Sequence, residues 1–141
     1  MRVLIVDDEV ASRKKLESIM HDFGECVPVE TGTEALAEFQ EAWNQWRPFD
    51  LITLDISMPE MDGTEVLHRI RELEAEKGVA EEKKANIFIV TGQTDKNRMI
   101  TAIRGGCNDF IRKPYKRLRI LEKLEECGLV DPFKTDETTG S

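Results

Sequence analysis

Acidic, hydroxyl and amino side chains follow four short apolar runs in this sequence. They are Asp7 and Asp8, Asp55, Thr91, and Lys113. A carboxylate can act as a nucleophile, and clustered carboxylate oxygens are the ligands that a hard divalent cation such as Mg²⁺ prefers. A lysine supplies a point charge for a phosphoryl oxygen, and a threonine hydroxyl can donate to another. These residue types therefore predict metal-assisted phosphoryl chemistry on a carboxylate, if the fold brings them together.

The elements that must position these residues alternate between strands and helices. Apolar runs at residues 3–6, 51–54 and 87–90, together with segments 25–30 and 109–111, predict five strands. Amphipathic segments after each strand predict five helices, with Thr33 and Thr64 as the N-caps of the second and third. Continuous apolar strands separated by such helices indicate an α/β fold with a parallel sheet covered on both faces.

Two topologies accommodate five such units, namely the strand order 2-1-3-4-5 and part of a barrel. A closed eight-stranded barrel needs about 250 residues, and this chain has 141. The order 2-1-3-4-5 also places the second strand at an edge, where Pro28 is tolerated because it cannot donate to a ladder. In such a sheet all strands end at the same edge, so the chemically competent residues should converge there.

Composition excludes several other classes of protein. A formal net charge of −8 argues against autonomous binding to nucleic acid. No apolar run approaches the ~20 residues that span a bilayer. Three cysteines, Cys26, Cys107 and Cys127, are an odd number without metal-site spacing, which indicates free thiols. We therefore expect a cytoplasmic domain that contacts neither membrane nor nucleic acid directly.

Several short motifs, in this order, resemble those of response-regulator receiver domains, the CheY-like family of two-component signalling. They are Val-Asp-Asp-Glu at 6–9, Asp55 followed by Met58-Pro59 and Asp62-Gly63, Thr91-Gly92, and Asp-Phe-Ile-Arg-Lys-Pro at 109–114. The resemblance covers roughly residues 2–127. It implies the flavodoxin-like, CheY-like sheet order 2-1-3-4-5 and a signalling switch that phosphorylation activates.

The resemblance also implies a role for each residue of the site. Asp55 would accept a phosphoryl group from the phosphohistidine of a sensor kinase. Mg²⁺ (or Mn²⁺) would be bound by Asp8, Asp55 and the Ser57 backbone carbonyl, and by Asp7 through water. Thr91 and Lys113 would bind the phosphoryl group, Lys113 would precede Pro114 through a cis bond, and Phe110 would turn inward on activation. The supporting residues would be Gly92, Pro114, Met58 and Gln93.

The partners implied by the resemblance lie at both ends of a signalling step. A sensor histidine kinase or phosphotransfer protein would donate the phosphoryl group. An output protein or appended effector domain would read the face made by helix four, strand five and helix five. The chain would be a regulator rather than an enzyme, catalysing only its own phosphoryl transfer and autodephosphorylation, as a monomer or a phosphorylation-dependent dimer.

The predicted organisation is a receiver domain over residues 1–129 and a tail over residues 130–141. The tail is polar, with Asp131, Lys134, Asp136 and Glu137, and such a composition is typical of a flexible segment. The chain would be either a stand-alone regulator or a receiver cut from a longer protein at its linker.

The charged segment 71–86 predicts an extension of helix three and its loop. For this segment a solvated helix end is favoured over a docking site.

The sequence leaves two alternative functions open. A phosphohydrolase of the haloacid-dehalogenase type also uses an aspartate nucleophile, Mg²⁺ and a lysine at strand ends. It normally has an acid two residues after the nucleophile, where this chain has Ser57. A pseudo-receiver would bind a partner without phosphorylation, although the complete site argues against it.

Two of the residues also have alternative roles. Asp7 could be the N-cap of the first helix, and Phe110 could serve core packing alone.

Overall fold

Strands and helices alternate along the chain in the computed structural model, which describes residues 1–58, 61–92 and 96–132. The strands are β1 (Arg2–Val6), β2 (Glu25–Val29), β3 (Leu51–Asp55), β4 (Asn86–Thr91) and β5 (Asp109–Arg112). The helices are α1 (Val10–Met20), α2 (Gly32–Asn44), α3 (Gly63–Glu76), α4 (Lys96–Arg104) and α5 (Arg117–Glu126). One 3-10 turn, Glu81–Lys83, follows α3. Residues 133–141, the larger part of the predicted tail, lie outside the described residues.

The five strands form one parallel sheet in the order β2-β1-β3-β4-β5, which confirms the predicted topology. Pro28 lies on the edge strand β2, opposite Ile5 of β1. An edge strand uses only one of its two sides for the ladder, so a residue without an N–H does not interrupt the sheet there. The order 2-1-3-4-5 places β3 at the centre, between β1 and β4.

Alternate side chains of the central strands enter two separate hydrophobic cores. Leu4 and Ile52 lie in one core with residues of α2 and α3, including Phe39 and Leu67. The opposite core has Val3, Ile5 and Leu51 of the sheet with Leu16, Met20, Ile120 and Leu124 of α1 and α5. Because both faces of β1 and β3 are covered, these strands read as continuous apolar runs rather than alternating ones.

The N-caps of α2 and α3 lie two residues before the predicted ones, so the assignments to Thr33 and Thr64 are wrong. Thr31 caps α2, and its side-chain oxygen accepts from the N–H of Glu34 at 3.1 Å. Asp62 caps α3, with Oδ1 accepting from the N–H groups of Thr64 and Glu65. Thr33 and Thr64 are already helical, and a residue upstream of each has the extended backbone that a cap requires.

Helices α2 to α5 each end with a residue of positive φ just after the last turn. In α3, α4 and α5 that residue is Gly78, Gly106 or Gly128, with φ of 67°, 93° and 79°. Glycine suits this position because it has no Cβ to clash with the backbone. In α2 the residue is Trp46, with φ of 57°. A non-glycine residue in this conformation costs about 1 kcal/mol of stability.

Gly63 lets the start of α3 lie against the end of β3, where Asp55 is located. A Cβ at Gly63 would lie 2.6 Å from the Asp55 carbonyl oxygen and 3.0 Å from the Ile56 Cα. Both neighbours are backbone atoms, so the clash cannot be relieved by a side-chain rotation. The Gly63 N–H also donates to the Ile56 carbonyl at 3.3 Å. The close approach therefore fixes the loop that carries Asp55.

We predict that Gly63→Ala lowers the free energy of unfolding by about 1–3 kcal/mol, because the added methyl group must push β3 and α3 apart. Urea unfolding followed by circular dichroism measures the change. Gly92→Ala is the matched control, since among the described residues its Cβ would meet the Lys113 side chain at an ordinary 3.9 Å. Equal losses of stability in the two variants would contradict the proposed clash.

Candidate functional site

The structure gathers the predicted acids, the threonine and the lysine at one edge of the sheet. Asp7 directly follows β1, Asp55 is the last residue of β3, Thr91 is the last residue of β4, and Lys113 directly follows β5. Asp8 continues the acidic pair. Residues that are far apart in sequence meet because all parallel strands end at the same edge. The expected convergence is therefore confirmed.

Three carboxylates form a compact cluster at this edge. One oxygen each from Asp7, Asp8 and Asp55 lie within 4.8 Å of one another. Asp7 and Asp55 are buried, and Asp8 is exposed to solvent. Like charges at this distance repel, and they repel more strongly where burial excludes water. An all-oxygen donor set that opens to solvent on one side fits a hard divalent cation.

Lys113 is the ammonium group that faces this cluster. Its Nζ lies 3.8 Å from Asp55 Oδ2 and 3.9 Å from Asp7 Oδ2. The Lys113 N–H donates to the Thr91 carbonyl at 2.8 Å, which ties the end of β5 to β4. The bond to Pro114 is cis, as expected. One ammonium group between two buried carboxylates leaves negative charge uncompensated, so the site can accept further positive charge.

Asp7 has the most perturbed carboxyl group of the cluster. It is 1 % exposed; its Oδ1 accepts from the Glu9 N–H at 2.9 Å, and its Oδ2 has no hydrogen-bond partner within the described ranges. Burial raises the pKa of Asp7 to about 6, the Glu9 N–H opposes the rise, and the neighbouring Asp55 carboxylate adds to it. An unpartnered buried carboxylate oxygen is the kind of donor that a cation or an ordered water satisfies.

Asp7 is not the N-cap of α1, so that alternative interpretation is wrong. Helix α1 begins at Val10, and Glu9 occupies the cap position without a side-chain cap hydrogen bond. Asp7 instead accepts from the backbone two residues ahead, in the loop before the helix. Its carboxyl group is therefore held by the loop and lies in the acidic cluster.

Asp55 presents one carboxylate oxygen to the site and uses the other to order its own loop. Oδ1 accepts from the Ser57 N–H at 2.9 Å, while Oδ2 is the oxygen nearest Lys113. Asp55 is 6 % exposed, so its orientation is fixed by packing as well as by this hydrogen bond. Oδ2 is therefore the atom available for chemistry.

The remaining predicted site residues differ in how deeply they are buried. Met58 is buried in the core beneath the Asp55 loop, and Thr91 is 2 % exposed. Within the described residues, a Cβ at Gly92 would meet the Lys113 side chain at 3.9 Å, an ordinary contact distance. Gln93 lies outside the described residues. Phe110 is half-buried and packs against the core shared by α2 and α3. This position is compatible both with a role in core packing alone and with the inward turn that the resemblance implies.

Arg98 joins the site although the sequence did not single it out. From α4 its Nη1 lies 3.3 Å from Ser57 Oγ, and its Nη2 lies 4.0 Å from Asp62 Oδ2. The guanidinium thus connects α4 to the loop between β3 and α3. Sequence reasoning missed it because an arginine in the first turn of a charged helix has no local pattern that distinguishes it from a solvated residue.

Tyr115 is a second residue that sequence reasoning missed, and it is buried. Its hydroxyl has no hydrogen-bond partner among residues 1–58, 61–92 and 96–132, and Lys15 Nζ donates to its carbonyl at 2.8 Å. Burial raises the pKa of Tyr115 to about 12, and the charge of Asp7 contributes. The sequence feature that could have identified Tyr115 is its position directly after the Lys113-Pro114 motif.

Comparison with known proteins relates this chain to proteins of two-component signalling. The profile of the family described as "Response regulator receiver domain" matches residues 3–125. The chemotaxis protein CheY of Listeria monocytogenes is 34% identical, over 91% of this chain and 98% of that protein. The hybrid signal transduction histidine kinase L of Dictyostelium discoideum is 33% identical, over 90% of this chain and 7% of that protein.

Solved structures show the same likeness in three dimensions. The receiver domain of a histidine kinase from Arabidopsis thaliana, complexed with Mg²⁺ and BeF₃⁻, superposes with a TM-score of 0.72 at 30% identity, covering 89% of each chain. Among the described residues, no helix is long and apolar enough to cross a membrane. Cys26, Cys107 and Cys127 are free cysteines, as predicted.

We predict that Asp7→Asn stabilises the metal-free protein at pH 7.5 by about 1–3 kcal/mol. Because the folded-state pKa is raised from 3.8 to about 6, the Asp7 contribution to stability is complete below pH 4 and is lost as the pH rises through about 6. Urea unfolding in EDTA between pH 4 and 7.5 measures this. The difference between Asn and Asp should shrink toward pH 4, and a difference independent of pH would contradict the burial argument.

Proposed function

The chain belongs to the response regulator receiver domain family, and we propose that it acts as a phosphorylation-activated signalling switch with Asp55 as the phosphoacceptor. The observation that carries the assignment is the position of Asp55 Oδ2. Asp55 is buried at the end of β3, and its Oδ2 lies 3.8 Å from Lys113 Nζ and shares the edge of the sheet with Asp7 and Asp8.

The proposed reaction transfers a phosphoryl group to Asp55. The Asp55 carboxylate attacks phosphorus, a new O–P bond forms, and the bond from phosphorus to the donor imidazole breaks. In this proposal Lys113 Nζ binds one phosphoryl oxygen, and the Thr91 hydroxyl donates to another after a small movement. The Ser57 N–H already orients the carboxylate. Catalysis in this proposal is mostly positioning and charge neutralisation.

We further propose that the acidic cluster binds Mg²⁺, or Mn²⁺ in its place. The direct ligands would be Asp8, Asp55 and the Ser57 backbone carbonyl, with Asp7 acting through water. The clustered oxygens and the unpartnered Oδ2 of Asp7 support this donor set. When bound, the cation would neutralise charge on the cluster and on the incoming phosphoryl oxygens.

Ser57 favours a persistent phosphoryl group over rapid hydrolysis. It stands two residues after Asp55, where an acid could serve as a general base for water. Its hydroxyl instead contacts Arg98, and its side chain cannot remove a proton from water at neutral pH. We therefore propose a signal carrier that turns over only its own phosphoryl group.

The proposed output surface is the face formed by α4, β5 and α5. A groove of about 700 Å³ lies there, lined by Met99, Phe110, Tyr115 and Leu118 among others. Leu118 is 65 % exposed, and Ile103 on α4 is 60 % exposed, so each offers apolar surface to a partner. The partners in this proposal are a sensor histidine kinase or phosphotransfer protein as donor, and an output protein or appended effector domain as reader.

We predict that the protein gains the mass of one phosphoryl group when incubated with acetyl phosphate and Mg²⁺, and that Asp55→Asn abolishes the gain because the nucleophile is lost. Intact-mass spectrometry is the measurement, and excess EDTA should also abolish the gain. Asp22→Asn, a surface aspartate that pairs with Arg117, is the matched control. An adduct that survives Asp55→Asn would overturn the assignment. Repeated turnover of phosphomonoesters would indicate a hydrolase instead.

Phe110→Ala should leave phosphorylation intact but weaken its effect on the α4-β5-α5 face, because Phe110 lies in β5 between the site and that face. Amide NMR shifts with and without beryllofluoride, a phosphoryl mimic, measure the effect. Phe110→Leu controls for packing. If Phe110→Ala only loses stability, by about 1–3 kcal/mol, and keeps the full pattern of shift changes, Phe110 serves packing alone.

A further inference from the structure

Trp46 occupies a backbone position at which the same chain otherwise uses glycine. The N–H of Trp46 donates to the Trp43 carbonyl at 3.1 Å, and the N–H of Arg47 donates to the Ala42 carbonyl at 2.9 Å. These two hydrogen bonds define the same helix-ending motif that contains Gly78 in α3 and two further glycines in α4 and α5. Among the described residues, Trp46 in α2 is the one residue with a Cβ that adopts a positive φ.

The side chain of Trp46 does not compensate for this backbone conformation by packing. It is 84 % exposed, the most exposed of the large hydrophobic residues in the described part of the chain. A glycine would satisfy the backbone, and a polar residue would suit the solvent. Neither the conformation nor the exposure of Trp46 is therefore explained by folding, and strained, exposed residues of this kind are frequent at functional sites.

Trp46 forms one wall of a pocket of about 640 Å³, here called the Trp46 pocket. The other lining residues include Trp43 at the end of α2, and Lys77, Val79, Ala80 and Lys83 after α3. The pocket lies where the chain enters β3 and β4, at the edge of the sheet opposite Asp55. An occupant there would not obstruct phosphoryl transfer.

The charge at the Trp46 pocket differs in sign from that of the whole chain. The protein has 28 acidic and 20 basic side chains, but Lys77 and Lys83 flank the pocket. Neither lysine forms an ion pair with another of the residues that the structure describes. The nearby Glu76 and Glu81 are engaged with Arg69 and Lys84 instead. The pocket thus combines an apolar aromatic wall with two available positive charges.

We propose that the Trp46 pocket binds an acidic segment of a partner protein, with an aromatic or aliphatic side chain inserted between Trp43 and Trp46 and carboxylates facing Lys77 and Lys83. A tryptophan in a pocket is a typical anchor of a protein interface. The net charge of −8 opposes approach to an anionic membrane or nucleic acid as a whole, whereas a short peptide segment meets only the local positive charge.

Trp46→Gly separates binding from folding. Because glycine suits the backbone, the variant should melt at a temperature no lower than the wild type, which calorimetry measures. Its phosphorylation by acetyl phosphate at Asp55 should be unchanged, since the pocket lies at the other edge of the sheet. Binding to the pocket should be lost. A failure of phosphorylation in the wild type would count against the proposed function alone.

The binding arm uses a displayed random-peptide library, selected on the wild type and counter-selected on Trp46→Gly. The expected peptides carry aspartate or glutamate on both sides of an aromatic or aliphatic residue. Trp46→Gly should weaken their binding by about tenfold or more in fluorescence titration. Lys77→Gln and Lys83→Gln should each weaken it by about twofold to fivefold, and added salt should do the same. The exposed Lys14→Gln on α1 is the matched control.

Several outcomes would overturn the proposal. They are a selection that yields no peptide sensitive to Trp46→Gly, peptides that are basic or uncharged, and lysine variants that bind like Lys14→Gln. Trp46-dependent binding to phosphatidylserine vesicles would identify a membrane as the occupant instead. Trp46-dependent self-association in sedimentation would identify a second copy. A change in tryptophan fluorescence when residues 133–141 are removed would identify the chain's own tail as the occupant of the pocket.

Discussion

The repulsion among Asp7, Asp8 and Asp55 is the constraint on which the rest of the structure depends. The parallel sheet brings their oxygens within 4.8 Å of one another, and the burial of two of them strengthens the repulsion. Folding can hold such a cluster only because the cores on both faces of the sheet are continuous and apolar. Positive charge arriving at this edge, by a cation or by Lys113, therefore relieves strain that the fold itself creates.

This constraint explains how a local charge change can reach a distant surface. Lys113 lies between Asp55 and Asp7, and its backbone is tied to Thr91. Arg98 joins α4 to the loop after β3 through Ser57 and Asp62. In the proposed reaction, a phosphoryl group on Asp55 would replace the single negative charge of the carboxylate by roughly 1.5 to 2 negative charges on the new phosphoryl oxygens, and these oxygens would redistribute the contacts. The elements attached to them are β4, α4 and β5, which border the proposed output face.

The sequence predicted the sheet order and the gathering of the site because both follow from patterns that are local. Continuous apolar runs identify buried parallel strands, Pro28 identifies an edge, and strand ends identify the site. The N-caps were misplaced because Thr31 and Thr33 are the same residue type, and because Asp62 and Thr64 are both common cap types. Only the backbone decides between the members of each pair. Arg98 and Tyr115 were missed because their significance lies in contacts across the fold.

Residues that oppose folding are informative when the structure shows no compensation for them. Asp7 is buried with an unpartnered oxygen, and Trp46 combines a positive φ with an exposed indole. Gly63, in contrast, is explained fully by the backbone that lies against it. At Asp7 the ammonium group of Lys113, 3.9 Å away, compensates only in part, and the proposed cation would supply the remaining positive charge. At Trp46 the missing compensation is apolar contact, which the described residues do not supply to its indole.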